Sequence, residues 1–326
     1  MITRREALMS GVAAAALWRT DASAQEPWAP SRTVTIVVPY PAGGPTDVVA
    51  RLVARELQTA LGQSVVVENQ AGASGSVGTR RVARAEADGH TLVVSTNQTH
   101  ATNISLLKDG GGYDPVRDFA ALGGLADLQH ILVVRPDLAA RSVPELIGVA
   151  KGGTKLTCAS TGIGAASHLT MELFKAKTGV DFVHVPYRGS APLLQDMIGG
   201  RVDVSFATVP TVLGQVQGGQ LRALAVASPM PSPHLPELPI LSSVGVAGVE
   251  ADAWIAIFAP AGIAPPVRSR YGRELAALMA KPEVQTAIRQ QGATVNWREP
   301  DTFAAFQRAD VQRWADIIKA AGVSVE

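Results

Sequence analysis

A strand, a glycine-rich turn and an amphipathic helix are predicted near the start of the chain, where the spacing of hydrophobic positions changes. Residues 34–38 are apolar and mostly β-branched, which is typical of a buried strand. The run ends in Pro39-Tyr40-Pro41-Ala42-Gly43-Gly44, and Pro45 suits a first helical position, where a missing N–H costs nothing. Apolar residues then recur at intervals of three and four: Val49, Leu52, Val53, Leu57, Ala60 and Leu61.

Two interpretations of this turn remain open. A helix N-terminus with unpaired backbone N–H groups suits an anion, and the backbone would do the binding because no lysine or arginine lies between Arg32 and Arg51. Alternatively the turn is a tight connection, with Gly43 and Gly44 present only for positive φ. The turn is not a P-loop, since no Gly-Lys-Ser/Thr follows.

The same alternation of strands and helices continues along the chain and predicts an α/β fold with mostly parallel sheets. Further strands are predicted at 64–68, 91–95, 119–125, 130–134, 155–159, 182–185, 202–206, 221–227 and 253–259. Helices are predicted at 143–150, 191–198, 211–216, 266–280, 282–291 and 302–321. The proline-rich stretch 229–239 is predicted to be an extended loop.

A second strand–glycine–helix unit lies mid-chain, at 155–174. Its turn, Gly162-Ile163-Gly164-Ala165-Ala166-Ser167, differs from a dinucleotide fingerprint at the third glycine, which is Ser167. Residues 1–24 have the features of a signal peptide, and a nicotinamide cofactor is not expected in an exported protein, so we favour a second anion-binding helix N-terminus. If the two turns face each other in the folded protein, they would form one pocket for a small anion.

The beginning of the chain predicts an exported protein of two lobes. Residues 1–24 have a basic start, a short apolar run and Ala22-Ser23-Ala24, as in a signal peptide of either the twin-arginine or the Sec type. The chain that remains after residue 24 is longer than a single hydrophobic core usually spans, so two lobes are expected. We predict one lobe from 25–127 plus 252–326 and another from 128–251, joined by two hinge crossings around a cleft.

Charge and cysteine content exclude several classes of function. The formal net charge is +1, so there is no general attraction to nucleic acid or to an anionic membrane. Cys158 is the only cysteine in the sequence, so it cannot form an internal disulfide. It lies in an apolar run typical of a buried thiol. The histidines show no metal-ligand spacing. We therefore expect no metal and no cofactor.

Candidate reactive residues have structural explanations that fit better. His168 could be a general base, but a histidine one turn into a helix more often braces the preceding loop. Asp47 suits the stabilisation of a helix N-terminus. His184 and Arg188 follow a strand, and Arg188 could meet a carboxylate or be solvated. An exported hydrolase or isomerase using His168 and Asp47 is the weaker alternative, and a binding protein is favoured over an enzyme.

Five ordered motifs resemble the Bug (TctC-like) family, the extracytoplasmic solute-binding receptors of tripartite tricarboxylate transporters. They are Val38-Pro39-Tyr40-Pro41-Ala42-Gly43-Gly44-Pro45-Thr46-Asp47, Glu68-Asn69-Gln70-Ala71-Gly72-Ala73, Asp88-Gly89-His90-Thr91-Leu92, Tyr113-Asp114-Pro115-Val116-Arg117-Asp118-Phe119 and His184-Val185-Pro186-Tyr187-Arg188-Gly189. The resemblance implies a type II periplasmic-binding-protein fold. It also implies that loops 40–47 and 160–168 hold a ligand carboxylate between the lobes.

The resemblance extends to site residues and partners. More variable positions that would read the rest of the ligand are Asn97, Gln98, Arg188 and the strand end Phe206-Ala207-Thr208. Ile240, Ser243 and Trp254-Ile255-Ala256 depart from the family pattern and concern hinge packing or docking. The predicted ligand-binding residues are Tyr40, Ala42, Gly43, Gly44, Pro45, Thr46, Asp47, Asn97, Gln98, Ser160, Thr161, Gly162, Gly164, Ser167, His168, Arg188 and Thr208.

The resulting hypothesis is a monomeric periplasmic receptor that closes around a small carboxylate and delivers it to TctA- and TctB-like membrane subunits. A second hypothesis has the same pocket but presents the ligand to the ectodomain of a sensor kinase. The sequence does not separate these two partners.

Overall fold

Two mixed β-sheets flanked by helices make up the protein in a computed structural model that describes residues 28–323. The predicted signal peptide, 1–24, lies outside the described residues. Between residues 28 and 323 no helix combines the length and apolar character needed to cross a membrane.

The first sheet has six strands in the order β11-β4-β10-β3-β1-β2. β1 is parallel to both β2 and β3, while β10 is antiparallel to β3 and β4. β11 adds an antiparallel edge next to β4. The strands are β1 (Val34–Val38), β2 (Val65–Asn69), β3 (Thr91–Thr96), β4 (Phe119–Leu128), β10 (Ala253–Pro260) and β11 (Thr294–Arg298).

The second sheet has five strands in the order β7-β6-β8-β5-β9. β6 is parallel to β7 and β8, and β5 is antiparallel to β8 and β9. The strands are β5 (His130–Val134), β6 (Leu156–Ser160), β7 (Phe182–Pro186), β8 (Val204–Thr208) and β9 (Arg222–Val226).

Ten α-helices connect these strands among the described residues. They are α1 (Pro45–Leu61), α2 (Ser76–Ala83), α3 (Asn103–Leu106), α4 (Val143–Lys151), α5 (Ala166–Thr178), α6 (Ser190–Ile198), α7 (Val209–Gln217), α8 (Pro265–Met279), α9 (Pro282–Gln290) and α10 (Pro300–Ala321). Short helical turns occur at Ala73–Gly75, Gln98–Thr102 and Leu241–Val244, the middle one a π-helix.

Each sheet is covered by apolar side chains on both faces. α1 and α8 contribute Val53, Leu57 and Leu275 to one core of the first sheet, and α10 contributes Phe303 and Trp314 to the other. The second sheet separates two further clusters, one around Phe174 and Phe206 and one around Ile131 and Leu193. Because the four apolar clusters cover the faces of the two sheets, the loops at the strand ends are not part of these cores and can form a site.

The chain passes between the sheets twice, and a polar network joins the two crossings. One residue, Gln129, separates β4 from β5, and its side-chain amide donates to Ser228 Oγ (3.2 Å) and to the Met230 carbonyl (3.1 Å). Ser228 Oγ in turn donates to Asp252 Oδ2 at 2.7 Å. The division into lobes at 127/128 and 251/252 stays a proposal, and the first sheet extends to Leu128, one residue beyond the first of these boundaries.

Several elements were not predicted from the sequence periodicity, or were predicted at other positions than the structure shows. The edge strand β11 lies between the helices predicted at 282–291 and 302–321, and no strand was predicted there, because all five of its residues are half-buried and show no clean alternation. Directly after β3, where no helix was predicted, the chain forms the π-helix Gln98–Thr102, which continues into α3. The strand predicted at 202–206 begins at Val204.

Candidate functional site

A continuous cleft lies between the two sheets. Its first cavity, about 950 Å³, is bordered by Tyr40 and Gln98 on the first sheet's side and by Thr161, Arg188 and Thr208 on the second's. A second cavity, about 570 Å³, adjoins it and is bordered by loop 42–47 and by residues 188–192. The two share the lining residues Tyr40, Pro41, Arg188, Gly189, Ser190 and Thr211.

Loop 40–47 is held by a buried carboxylate. Asp47, 3% exposed, accepts from the Gly43 amide (2.9 Å), from Arg51 Nε (3.0 Å) and from Asn69 Nδ2 (2.9 Å). Burial raises the pKa of this carboxyl, but the hydrogen bonds from Arg51, Gly43 and Asn69 outweigh it and bring the pKa below its ordinary value. Asp47 therefore stays ionised and fixes the turn.

This contact corrects one expectation, because the Gly43 N–H is not free for a ligand. Gly43 has φ +83°, so the glycine is needed for the turn itself. Within loop 40–47, the amides that have no acceptor among residues 28–323 are those of Tyr40, Ala42, Gly44, Thr46 and Asp47. The N-terminus of α1 thus keeps a cluster of open donors.

Loop 160–168 is held by uncharged groups. The Thr161 amide donates to Ser167 Oγ (3.0 Å), the Gly162 amide to Ser160 Oγ (3.2 Å) and the Gly164 amide to His168 Nδ1 (3.0 Å). Gly164, with φ +74°, sits against Leu106, whose Cδ1 would be 2.6 Å from an added Cβ. Gly164 is therefore needed where the loop meets α3.

The predicted site residues divide into three groups by position. Seven line the first cavity: Tyr40, Gln98, Thr161, Gly162, Ser167, Arg188 and Thr208. Six line the second: Ala42, Gly43, Gly44, Pro45, Thr46 and Asp47. The other four line neither cavity, because they are buried behind or beside the loops: Asn97, Ser160, Gly164 and His168. Direct ligand contact by any of the seventeen stays a prediction.

His168 does not have the surroundings of a general base. It is 6% exposed, and burial, with a contribution from His184 and Lys175, lowers its pKa to about 4. Asp47, its proposed catalytic partner, is bonded within the other loop. Burial raises the pKa of the Cys158 thiol, which agrees with a structural cysteine. Between residues 28 and 323, no group of three or more His, Cys, Asp or Glu side chains could hold a metal ion.

A third loop, residues 71–75, also lines the first cavity and was missed as a site. Ala73 and Ser74 have positive φ, 44° and 54°, a conformation that costs energy for residues other than glycine. The available signal was the turn Gly72-Ala73-Ser74-Gly75, whose paired glycines resemble those at 43–44 and 162–164.

The electrostatics of the first cavity favour an anion. Arg188 is the one charged side chain in its lining within the described part of the chain. His130 also lines it, and burial lowers the pKa of His130 to about 4, so this imidazole is neutral near pH 7. Among residues 28–323, no aspartate or glutamate borders this cavity.

Comparison with known proteins gives consistent matches. The family model for the tripartite tricarboxylate transporter family receptor (TctC) matches residues 49–323. The protein BugT of Bordetella pertussis is 35% identical over 299 residues, 91% of each chain.

Solved structures of binding proteins superpose on nearly the whole chain. The periplasmic binding protein BugD is 36% identical, with a TM-score of 0.81 over 91% of this chain and 100% of that one. An R. palustris protein with adipate is 35% identical, with a TM-score of 0.84 over 90% and 99%. MatC from Rhodopseudomonas palustris, with bound malate, is 31% identical, with a TM-score of 0.80 over 89% and 99%.

These matches confirm the predicted periplasmic-binding-protein fold and the predicted resemblance to Bug and TctC proteins. The matched proteins are receptors and binding proteins, which confirms a solute-binding protein and not an enzyme. The chain belongs to the TctC family of tripartite tricarboxylate transporter receptors.

Proposed function

We propose that this protein is a periplasmic receptor that captures a small carboxylate in the cleft between its two sheets and delivers it to the membrane subunits of a tripartite tricarboxylate transporter. The observation that carries the proposal is the meeting of two loops, 40–47 and 160–168, at one continuous cleft. Each loop comes from a different sheet, and each ends at a helix N-terminus with open amides.

The chemistry of the cleft supports a carboxylate. Backbone N–H groups at the start of α1 and α5 are suited to an anion because the helix dipoles add to their positive charge. Arg188 borders both cavities and can meet a second negative group. The similar proteins with adipate and with malate carry ligands of the same class.

The two connections between the sheets support a mechanism in which the lobes close around the ligand. A single-residue crossing at Gln129 and a second crossing near Asp252 allow the angle between the sheets to change. The ligand shifts the population toward the closed form only by its higher affinity for that form. Micromolar binding would correspond to about 8 kcal/mol, a value within reach of several desolvated amide contacts.

Native mass spectrometry of the purified protein, followed by calorimetry with adipate and L-malate, tests the proposal. Gly44 has an open amide at the start of α1 and ordinary space for a Cβ, 3.7 Å from the Pro41 carbonyl oxygen. We therefore expect Gly44→Asp to fold and to lose at least about 100-fold in affinity, since a carboxylate would occupy the anion's place.

Gly44→Ala is the matched control, and we expect its affinity to stay within about tenfold of the wild type. Equal affinities of Gly44→Asp and the wild type would contradict the site. Uptake of the same acid in a strain lacking the receptor tests delivery to the transporter separately.

A further inference from the structure

Most amides of loop 160–168 are already occupied by the protein's own groups. The Thr161, Gly162 and Gly164 amides donate to side chains, and the Ala165 amide donates to the Gly162 carbonyl at 3.2 Å. Among residues 28–323, the amides of Ile163, Ala166 and Ser167 have no acceptor. Ile163 and Ser167 line the first cavity. The loop therefore offers a defined subset of its donors.

His168 fixes one of the occupied amides through a single ring nitrogen. Because the Gly164 N–H points at Nδ1, that nitrogen has no proton, and the proton of the neutral ring is on Nε2. Nε2 lies 3.8 Å from Glu172 Oε1, and Lys175 Nζ lies 3.2 Å from the same oxygen. The surrounding charges thus favour the tautomer that accepts from Gly164.

His184 supports the other side of the loop through the opposite ring nitrogen. Its Nε2 lies 2.6 Å from Ser160 Oγ, which accepts from the Gly162 amide and can donate to the Gly162 carbonyl at 3.0 Å. The rings of His184 and His168 stack with centroids 3.9 Å apart and planes within 6°. Neither histidine lines either cavity.

We propose that His168 and His184 are positioning residues for the ligand: acting through Nδ1 and Nε2 respectively, they hold loop 160–168 so that the amides of Ile163 and Ser167 face the cleft. This inference rests on the proposed function, since it assumes that a carboxylate binds there. The proposal gives these two histidines a role in ligand affinity through their hydrogen bonds, in addition to filling space behind the loop.

Replacing each histidine by Asn or by Gln tests this assignment. The side-chain amide of Asn places a polar atom near the position of histidine Nδ1, and that of Gln places one near the position of Nε2. At position 168 we expect His168→Asn to keep the affinity for adipate within about threefold and His168→Gln to weaken it about tenfold. At position 184 the order reverses: His184→Gln keeps the affinity and His184→Asn weakens it.

His234 provides the control pair, since it contacts the Ala293 carbonyl outside the cleft. His234→Asn and His234→Gln are expected to bind adipate equally. Melting temperatures are measured for all variants. Equal affinities of Asn and Gln at both 168 and 184, or affinities that simply follow the melting temperatures, would overturn the assignment.

A ligand-free measurement separates this inference from the proposed function. Amide hydrogen exchange by NMR should show Gly164 protected within about threefold of the wild type in His168→Asn and about tenfold less protected in His168→Gln. Equal protection in both variants overturns the inference even if adipate binds. Failure of wild-type protein to bind either adipate or L-malate counts against the carboxylate function, while Gly164 exchange still decides how the loop is held.

Discussion

The two loops at the cleft have similar shapes but are stabilised by opposite means. Loop 40–47 encloses an ionised Asp47 with three donors, one of them the guanidinium of Arg51. Loop 160–168 uses hydroxyl groups and neutral imidazoles. A buried charge is costly to desolvate and strongly destabilising when its partners are lost, whereas neutral hydrogen bonds contribute less and cost less. The comparison predicts a rigid first loop and a more easily altered second loop.

The largest expected effect is in the first loop, on replacing Asp47. Asp47→Ala removes an ionised acceptor from the Gly43 amide, from Arg51 Nε and from Asn69 Nδ2, which keeps only its bond to the Tyr40 carbonyl (3.1 Å). Because hydrogen bonds to a charged group are the stronger kind, the free energy of unfolding should fall by about 2–3 kcal/mol in urea denaturation. Asp181→Ala, at a side chain that is 93% exposed, is the control and should change it by less than about 0.5 kcal/mol. Similar values for both variants would remove the distinction between the loops.

Acidification should weaken the second loop before the first. His168 has an ordinary pKa of 6.5, and burial near His184 and Lys175 lowers it to about 4 in the folded protein. Between these values the unfolded chain binds more protons, so this group reduces stability as pH falls, by up to about 1.4 kcal/mol per pH unit. Asp47, with a pKa below 3.8, keeps its contribution until the pH drops beneath that value.

Urea denaturation at pH 6.5, 5 and 4 measures this difference. Buried His100 and His130 add slopes of the same sign, because burial lowers their pKa values to about 3 and about 4. The comparison is therefore between wild type and His168→Asn, which should lose part of the slope, with His234→Asn retaining it. An unchanged slope in His168→Asn would show that position 168 is not a buried neutral histidine.

Removing one hydroxyl of the second loop should have a smaller effect. Ser167→Ala takes away the acceptor of the Thr161 amide, and we expect a loss of about 1 kcal/mol in unfolding free energy. Ser242→Ala, at an exposed position, is the control and should be neutral. A loss as large as that for Asp47→Ala would mean that both loops depend equally on their internal contacts.

The smallest effect on stability is expected at Arg188, which borders both cavities and has no ion pair within residues 28–323. Arg188→Gln should change the free energy of unfolding by less than about 0.5 kcal/mol. The association rate of adipate in stopped-flow measurements should fall several-fold and lose salt dependence. An unchanged rate at low salt would show that this guanidinium does not act on the ligand.

The strand–turn–helix units could be predicted from the sequence because their signals are local. Prolines and glycines mark the turns, and the spacing of apolar residues changes from strand to helix within a few positions, as at 34–61. The sequence indicated a shared pocket of the two glycine turns only on the condition that they face each other, and the resemblance to a known family implied that they do. Spacing alone left loop 40–47 open to interpretation as a simple connection.

The internal bonding of the loops could not be predicted, because it depends on residues distant in sequence. Asn69 reaches Asp47 across 22 positions, and His184 stacks on His168 only because β6 and β7 are paired. Ala73 and Ser74 adopt positive φ without being glycine, so Gly72 and Gly75 marked a turn but did not indicate its left-handed backbone or its place at the cleft. Which amides stay free is therefore a property of the folded chain.

The departures from the family pattern lie near the second crossing. Trp254 is buried at the start of β10 and its Nε1 donates to Asp310 Oδ2 at 2.8 Å. Ile240 pairs with Val226 at the end of β9. These contacts support the expected link to hinge packing, and a role in docking stays a prediction.

The single residue between β4 and β5 limits how the two halves can move. Consecutive Cα atoms are about 3.8 Å apart, so Leu128 and His130 remain within about 7.6 Å whatever the torsion angles of Gln129. The halves can pivot about this point but cannot slide past each other there. His130, which borders the first cavity, lies beside this point, so a rotation about it would move the innermost walls least and the outer rim most. Selection by ligand length would then be exercised at the rim, and recognition of the deepest group would be the same at every degree of opening.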